Sequence, residues 1–192
     1  MKARRAEPLK NIGRGDAQMS ISPSTAVTFA LPRWAYVPGV TAEAEPDHHT
    51  LWQAKALVPL RFRDFVPARH PALRYGITLN DAGYFWESKE VLEAVWAAAP
   101  QGGRERSLLR ACIQIADANL KLRMQKPSAT ARLFGEALAE LKALAARKAT
   151  AMGDGFADGF PTDALAALVQ AKLVHSSLSK ADWVAIGAAG WT

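Results

Sequence analysis

Hydrophobic positions follow two regimes along this chain. From Ala72 onward they recur at intervals of three and four residues, and before it they do not. That interval is one face of an α-helix. Leu73, Ile77 and Leu79 predict a first helix ending near Gly83, a residue suited to the position just past a helix C-terminus. Leu92, Val95, Trp96 and Ala99 predict a second, over about Trp86 to Ala98, stopped by Pro100 and Gly102-Gly103. Leu109, Cys112, Ile113, Ala116 and Leu120 form the stripe of a third, from Arg104 to Met124. A fourth opens at Lys126-Pro127-Ser128, where proline fits the first turn. It carries Leu133, Phe134, Ala137, Leu138, Leu141, Leu144 and Ala145, and Arg147 and Lys148 suit the negative end of its dipole. The glycines at 153, 155 and 159 read as a loop, after which Thr162 or Asp163 caps a fifth helix with Leu165, Leu168, Val169 and Leu173. Residues 181–192 hold Trp183 and Trp191 and show no period. No strand alternation and no repeat is present, and the connections are short. The fold class that follows is all-α: a bundle of about five helices over residues 71–192, with consecutive helices packed antiparallel.

The first regime is irregular. Residues 1–28 mix Lys, Arg, Gly, Ser, Pro and Thr with few large apolar side chains, which predicts a disordered basic tail. Residues 29–70 carry aromatics but also Pro32, Pro38-Gly39, Pro46, Pro59 and Pro67. Prolines at that density block long helices and constrain the residues before them. An extended arm laid over the bundle is expected, with room for one short helix from Thr50 to Leu57.

Charge adds a second constraint. The chain is basic, with a formal net charge of +6, and Lys2, Arg4, Arg5, Lys10 and Arg14 all fall in its first fourteen residues. Such a tail favours anionic partners, so nucleic-acid association through it is one expectation. The remaining arginines do not form a stripe. The single cysteine, Cys112, excludes an internal disulfide and reads as a buried small hydrophobe. No apolar run is long enough to span a bilayer, and the basic N-terminus has no apolar stretch behind it. The expected partners therefore exclude a membrane, and the expected location is the cytoplasm.

Candidate chemistry concentrates in Asn80 to Trp96, N-D-A-G-Y-F-W-E-S-K-E-V-L-E-A-V-W. Glu87, Glu90 and Glu93 are spaced by three, so they drift around the helix instead of forming one line. On the next helix Arg110, Gln114, Asp117 and Lys121 share a face. Carboxylates on one helix facing Gln and Asp on another can hold a divalent metal or move a proton. The same residues can instead form an interhelical ionic network, with Lys89, Arg110 and Lys121 as counter-charges. The adjacent His48-His49 pair has only Asp47 near it in sequence, and His70 and His175 are isolated. No His-x-x-x-His, Cys-x-x-Cys, Gly-x-Ser-x-Gly or phosphate-cradling loop occurs. Trp34, Tyr36 and Trp52 are expected to anchor the arm on the bundle.

Asn80 to Trp96 resembles the signature of an all-helical family catalogued as domain of unknown function 309. In that family a helical hairpin carries an Asn, a Gly, an aromatic pair, E-A-H-E and then L-E-x-x-W. R-A-C-I-Q-I-A-D-A-N-L stands where the family has its next helix, and the resemblance extends over Leu31 to Leu144. This chain has Lys89 at the usual His, Leu120-Lys121-Leu122 near a second usual His, and Lys126-Pro127-Ser128 in place of Gly-Asn. The resemblance implies a fold and no chemistry. The functional expectation is a non-catalytic domain acting through a protein partner or self-association, with Trp183 and Trp191 as docking residues and no cofactor. The alternative is a metal-binding or hydrolytic site on Glu87, Glu90 and Glu93 with Gln114 and Asp117. Asn80 and Lys89 complete the candidate polar site.

Overall fold

Prolines and glycines set the ends of the helices. A computed structural model describes residues 28–41, 48–147, 155–174 and 182–191. The expected basic tail, apart from Thr28, lies outside the described residues, as do Asp47, Lys148, Gly153 and His175. Seven α-helices occur among the described residues: α1 His48–Ala56, α2 Pro71–Asp81, α3 Phe85–Ala98, α4 Arg104–Arg123, α5 Pro127–Ala145, α6 Phe156–Gly159 and α7 Thr162–Val174. A 3-10 turn follows at Gly187–Ala189. Pro71 and Pro127 open α2 and α5, where a missing N–H costs nothing. Ala99, ahead of Pro100, leaves the helical region and ends α3.

Left-handed backbone ends both α2 and α4. Gly83 has φ +88° and lets Tyr84 N–H reach back to the Leu79 carbonyl at 2.8 Å, closing α2. At the end of α4, Gln125 takes φ +58°, and Lys126 N–H bonds the Lys121 carbonyl at 2.9 Å. This is a helix stop of the kind glycine usually makes, here made by a residue with a Cβ.

The fold is all-α, as the periodicity predicts. Among the described residues the one β-bridge is an isolated antiparallel pairing of Pro67 with Gly155. Helices α2, α3, α4 and α5 pack each on the next, and α7 packs on α5. Their shared core includes Leu73, Leu79, Leu92, Leu108, Leu109, Ile115, Phe134, Leu141 and Leu165. Several stripe residues fall outside it: Ala145 is exposed, Ile113 and Leu173 are half-buried, and Leu120 belongs to a second cluster. Leu168 is exposed, and Trp96 is half-covered, with the Arg106 guanidinium 3.9 Å above its ring. The span around Gly155 and Gly159, predicted as loop, contains the one-turn helix α6. Its Phe156 enters the core and meets Phe160 edge to face, and that burial overrides the two glycines.

Residues 28–41 run irregularly across the bundle. Phe29 packs on Tyr75 with ring centroids 4.9 Å apart, and the Tyr75 hydroxyl donates to the Ala30 carbonyl at 2.8 Å. Tyr36 meets the edge of Trp86 at 5.1 Å, and Val37 joins Phe85 and Leu120 in a second, smaller apolar cluster. α1 starts two residues before the expected helix and lies against α3 and α2. Trp52 does not anchor it: that side chain is 76% exposed, because Leu51 and Ala54 fill the inward face. No helix among the described residues is long and apolar enough to cross a membrane.

Candidate functional site

The last turn of α2 and the first turn of α3 gather three buried polar side chains: Asn80, Glu87 and Ser88. Buried groups of this kind need partners, and each finds one on a different segment. Ser88 Oγ donates to the Gly76 carbonyl at 2.7 Å, fastening α3 to α2. This approach is close because Gly76 has no side chain: a Cβ there would stand 2.7 Å from Leu92 Cδ2. Glu87 Oε1 accepts the Tyr36 backbone N–H at 2.6 Å, which ties residues 28–41 to α3. Glu87 Oε2 is buried and has no hydrogen bond among the described residues. Burial raises the Glu87 carboxyl above its ordinary range, against the Tyr36 bond and the field of Arg123. Arg123 reaches back from the end of α4, donates to the Gly83 carbonyl at 2.7 Å and lies 4.5 Å over the Phe85 ring.

Asn80 works on the opposite side, against residues 182–191. Asn80 and Asn119 of α4 form a buried amide pair: Asn119 Nδ2 donates to Asn80 Oδ1 at 2.9 Å. Both amides also donate to the Val184 carbonyl, at 3.0 and 2.9 Å, and Asn119 Oδ1 accepts Val184 N–H at 3.0 Å. Asp81 extends the clamp by accepting Ile186 N–H at 2.6 Å and Gly187 N–H at 2.8 Å. Burial raises the Asp81 carboxyl too, opposed by its bonds from Asn80, Gly187 and Ile186. A Cβ on Gly187 would sit 2.5 Å from Asp81 Oδ2, so the carboxylate needs bare backbone there.

This clamp decides the place of the two late tryptophans. Trp183 stands edge-on to Phe85 at 5.7 Å, and Trp191 packs on Phe156 at 5.1 Å with the Arg74 guanidinium 4.4 Å over its ring. Both are drawn onto the body and do not form the free docking patch expected of them, because Asn80, Asp81 and Asn119 hold the segment between them.

The other predicted site residues part company. Glu90 pairs with Lys55 of α1 at 2.7 Å. Lys89 and Glu93 form a surface pair one turn apart at 3.7 Å, and such a pair is worth only a few tenths of a kcal/mol, roughly. The three-residue drift therefore takes the glutamates from buried (Glu87) to progressively more exposed. On α4 the polar face meets α5 instead of α3. Arg110 lies 3.5 Å from Glu140, and Gln114 donates to Glu136 at 3.2 Å. Asp117 pairs with Lys121 of its own helix at 3.4 Å. The α3 glutamates thus share no partner with Gln114 or Asp117. Among the described residues no group of three or more His, Cys, Asp or Glu side chains is placed to hold a metal ion.

Sequence reasoning passed over Asp81, Ser88, Asn119 and Arg123. Asn119 carried a signal, since asparagine inside an apolar helical run is unfavourable unless its amide is engaged. Asp81, Ser88 and Arg123 carried none, because their partners are backbone atoms of remote segments.

The fold and this site define a small all-helical domain built on a polar helical hairpin, whose motif residues fasten an N-terminal and a C-terminal segment to one core. The family model of a domain of unknown function (DUF309) matches residues 73–133. That span runs from the first turn of α2 into α5 and takes in the rest of the hairpin and all of α4. Comparison with curated proteins and with solved structures finds no match.

Proposed function

We propose that this domain acts by contact, with a protein partner or a second copy of itself, and that its motif is a structural joint and not a catalytic centre. The observation that carries the reading is the engagement of these side chains inside the chain: Ser88 joins the two helices of the hairpin, and Asn80, Asp81, Glu87 and Glu90 each hold another segment to it. An apolar surface remains on the opposite account. Leu31 and Trp34 line one shallow cleft with His49, and Trp52 follows His49 by one turn of α1. Leu31, Trp34 and Trp52 are all exposed. Large apolar side chains grouped on a surface mark contact sites.

Light scattering of the eluting protein over a wide concentration range tests this. A mass above one chain, or a stoichiometric co-purifying protein, is expected, and Trp52→Ser should remove it. A monomer at every concentration with no partner counts against the proposal. The carboxylate-site alternative draws on the unpartnered Glu87 Oε2 and Gln114 Oε1. It requires about one metal per chain after chelator-free purification, or a thermal shift with Mn, Zn, Fe or Mg that Glu87→Gln abolishes.

A further inference from the structure

The connection between α1 and α2 carries an unusual surface. Residues 57–63 read L-V-P-L-R-F-R. Leu57, Pro59 and Leu60 are exposed, and Leu60 stands fully clear of the body at 105% exposure. The loop is nonetheless held at both ends. Leu57 and Val58 N–H groups bond the Ala54 and Lys55 carbonyls, at 3.2 and 3.0 Å, and Phe62 is buried with its N–H on the Ala98 carbonyl at 2.9 Å. An apolar tip is thus presented in one conformation, with little left to order on contact.

The charge beside the tip has one sign. Between residues 57 and 70 the chain has Arg61, Arg63 and Arg69 against a single acid, Asp64. All three arginines are exposed, and among the described residues none pairs with a carboxylate. A second copy is a poor occupant, because a two-fold contact centred on the tip would set these arginines against their own equivalents. An anionic surface is the complementary one. A leucine projecting free of the body needs a medium that can close around it, and a lipid interface does so while its head groups meet the arginines.

We propose, against the expectation of no membrane partner, which rested on the lack of a spanning run, that the Leu57–Arg63 loop is a peripheral contact for anionic lipid bilayers, with Leu60 and Leu57 entering the interfacial region and Arg61 and Arg63 pairing with phosphate groups. The proposal does not depend on what occupies the Trp34 and Trp52 face, and light scattering of the same variants reads that face separately.

The test is co-sedimentation of the full chain with vesicles of phosphatidylcholine alone, or with one part in three of phosphatidylglycerol, at low and raised salt. Binding to the anionic vesicles only, weakened by salt, is expected. Leu60→Ser should weaken it about tenfold, the loss of one buried leucine. Arg61→Glu with Arg63→Glu should weaken it by about tenfold or more. Because these side chains are exposed, thermal melts of the variants should match the wild type, so lost binding reports the surface and not the fold. A chain with Lys2, Arg4, Arg5, Lys10 and Arg14 all changed to Gln should keep its sensitivity to Leu60→Ser. Failure to bind anionic vesicles overturns the proposal. So does binding that the Leu60 and arginine variants leave intact, which would assign the contact to the N-terminal cations. An acidic protein that binds through the same loop while vesicles do not would overturn it in favour of a protein partner.

Discussion

Glu87 shows how one residue can be essential to a fold at an electrostatic cost. Its carboxylate accepts the Tyr36 N–H, yet burial disfavours its charge. Glu87→Ala should leave that N–H unpaired and cost about 1–3 kcal/mol. Glu87→Gln keeps an acceptor and removes the buried charge, so it should be far milder at neutral pH. The sign of the pH effect follows from the raised carboxyl. Between the ordinary carboxylate range and the raised value, the folded state binds the proton that the unfolded state has lost. Stability contributed by Glu87 is therefore greatest below the ordinary range and is lost as pH rises through the raised value. Asp81 and Glu105, also raised mainly by burial, act with the same sign in both proteins. Melts of wild type and Glu87→Gln across that range isolate Glu87: the wild type should lose ground to the variant as pH rises. A constant difference between the two would remove the argument.

At the scale of elements, the α2–α3 contact is made possible by an absence. Gly76 leaves room for Leu92, and its carbonyl takes the Ser88 hydroxyl. A side chain at 76 must push against a leucine that has no space to retreat, since Leu92, Val91 and Leu73 are all fully buried. Gly76→Val should destabilise by about 3 kcal/mol, the upper range for overpacking a core. Urea denaturation measures it, and an unchanged midpoint would mean the hairpin can open without loss. Glycine inside a helix usually weakens it by roughly 1 kcal/mol relative to alanine, and here that cost is offset by close packing.

At the scale of the molecule, the hairpin is where distant parts of the chain meet. Asn119 and Asn80 hold the backbone of Val184, 65 and 104 residues away in sequence. Asn119→Ala should leave Val184 N–H and Asn80 Oδ1 without their partner and cost about 1–3 kcal/mol. The loss should show first as local opening, because few other polar bonds hold the segment. Hydrogen exchange at Val184, Ile186 and Gly187 should accelerate before that of α4. Exchange of all four together would mean that the C-terminal segment and the bundle open as one unit.

Much of the architecture was readable from local order alone. Leu73, Leu92, Leu109, Phe134 and Leu165 announce their helices by spacing, and Gly83, Pro100 and Pro127 mark ends, because periodicity and backbone chemistry act over a few residues. The resemblance around Asn80 to Trp96 likewise rests on contiguous residues. The partners did not have that advantage. Which face of α4 meets α3, why Glu87 sits with Tyr36 and not with Gln114, and why Trp183 and Trp191 turn inward depend on contacts between remote segments. Hydrogen bonds to backbone atoms leave no trace in side-chain identity at the far end. The sequence by itself determined the five longer helices, though not α6, and the polarity of the hairpin. Only the tertiary structure decided which polar groups are buried and what they hold, because burial is a property of the packed chain.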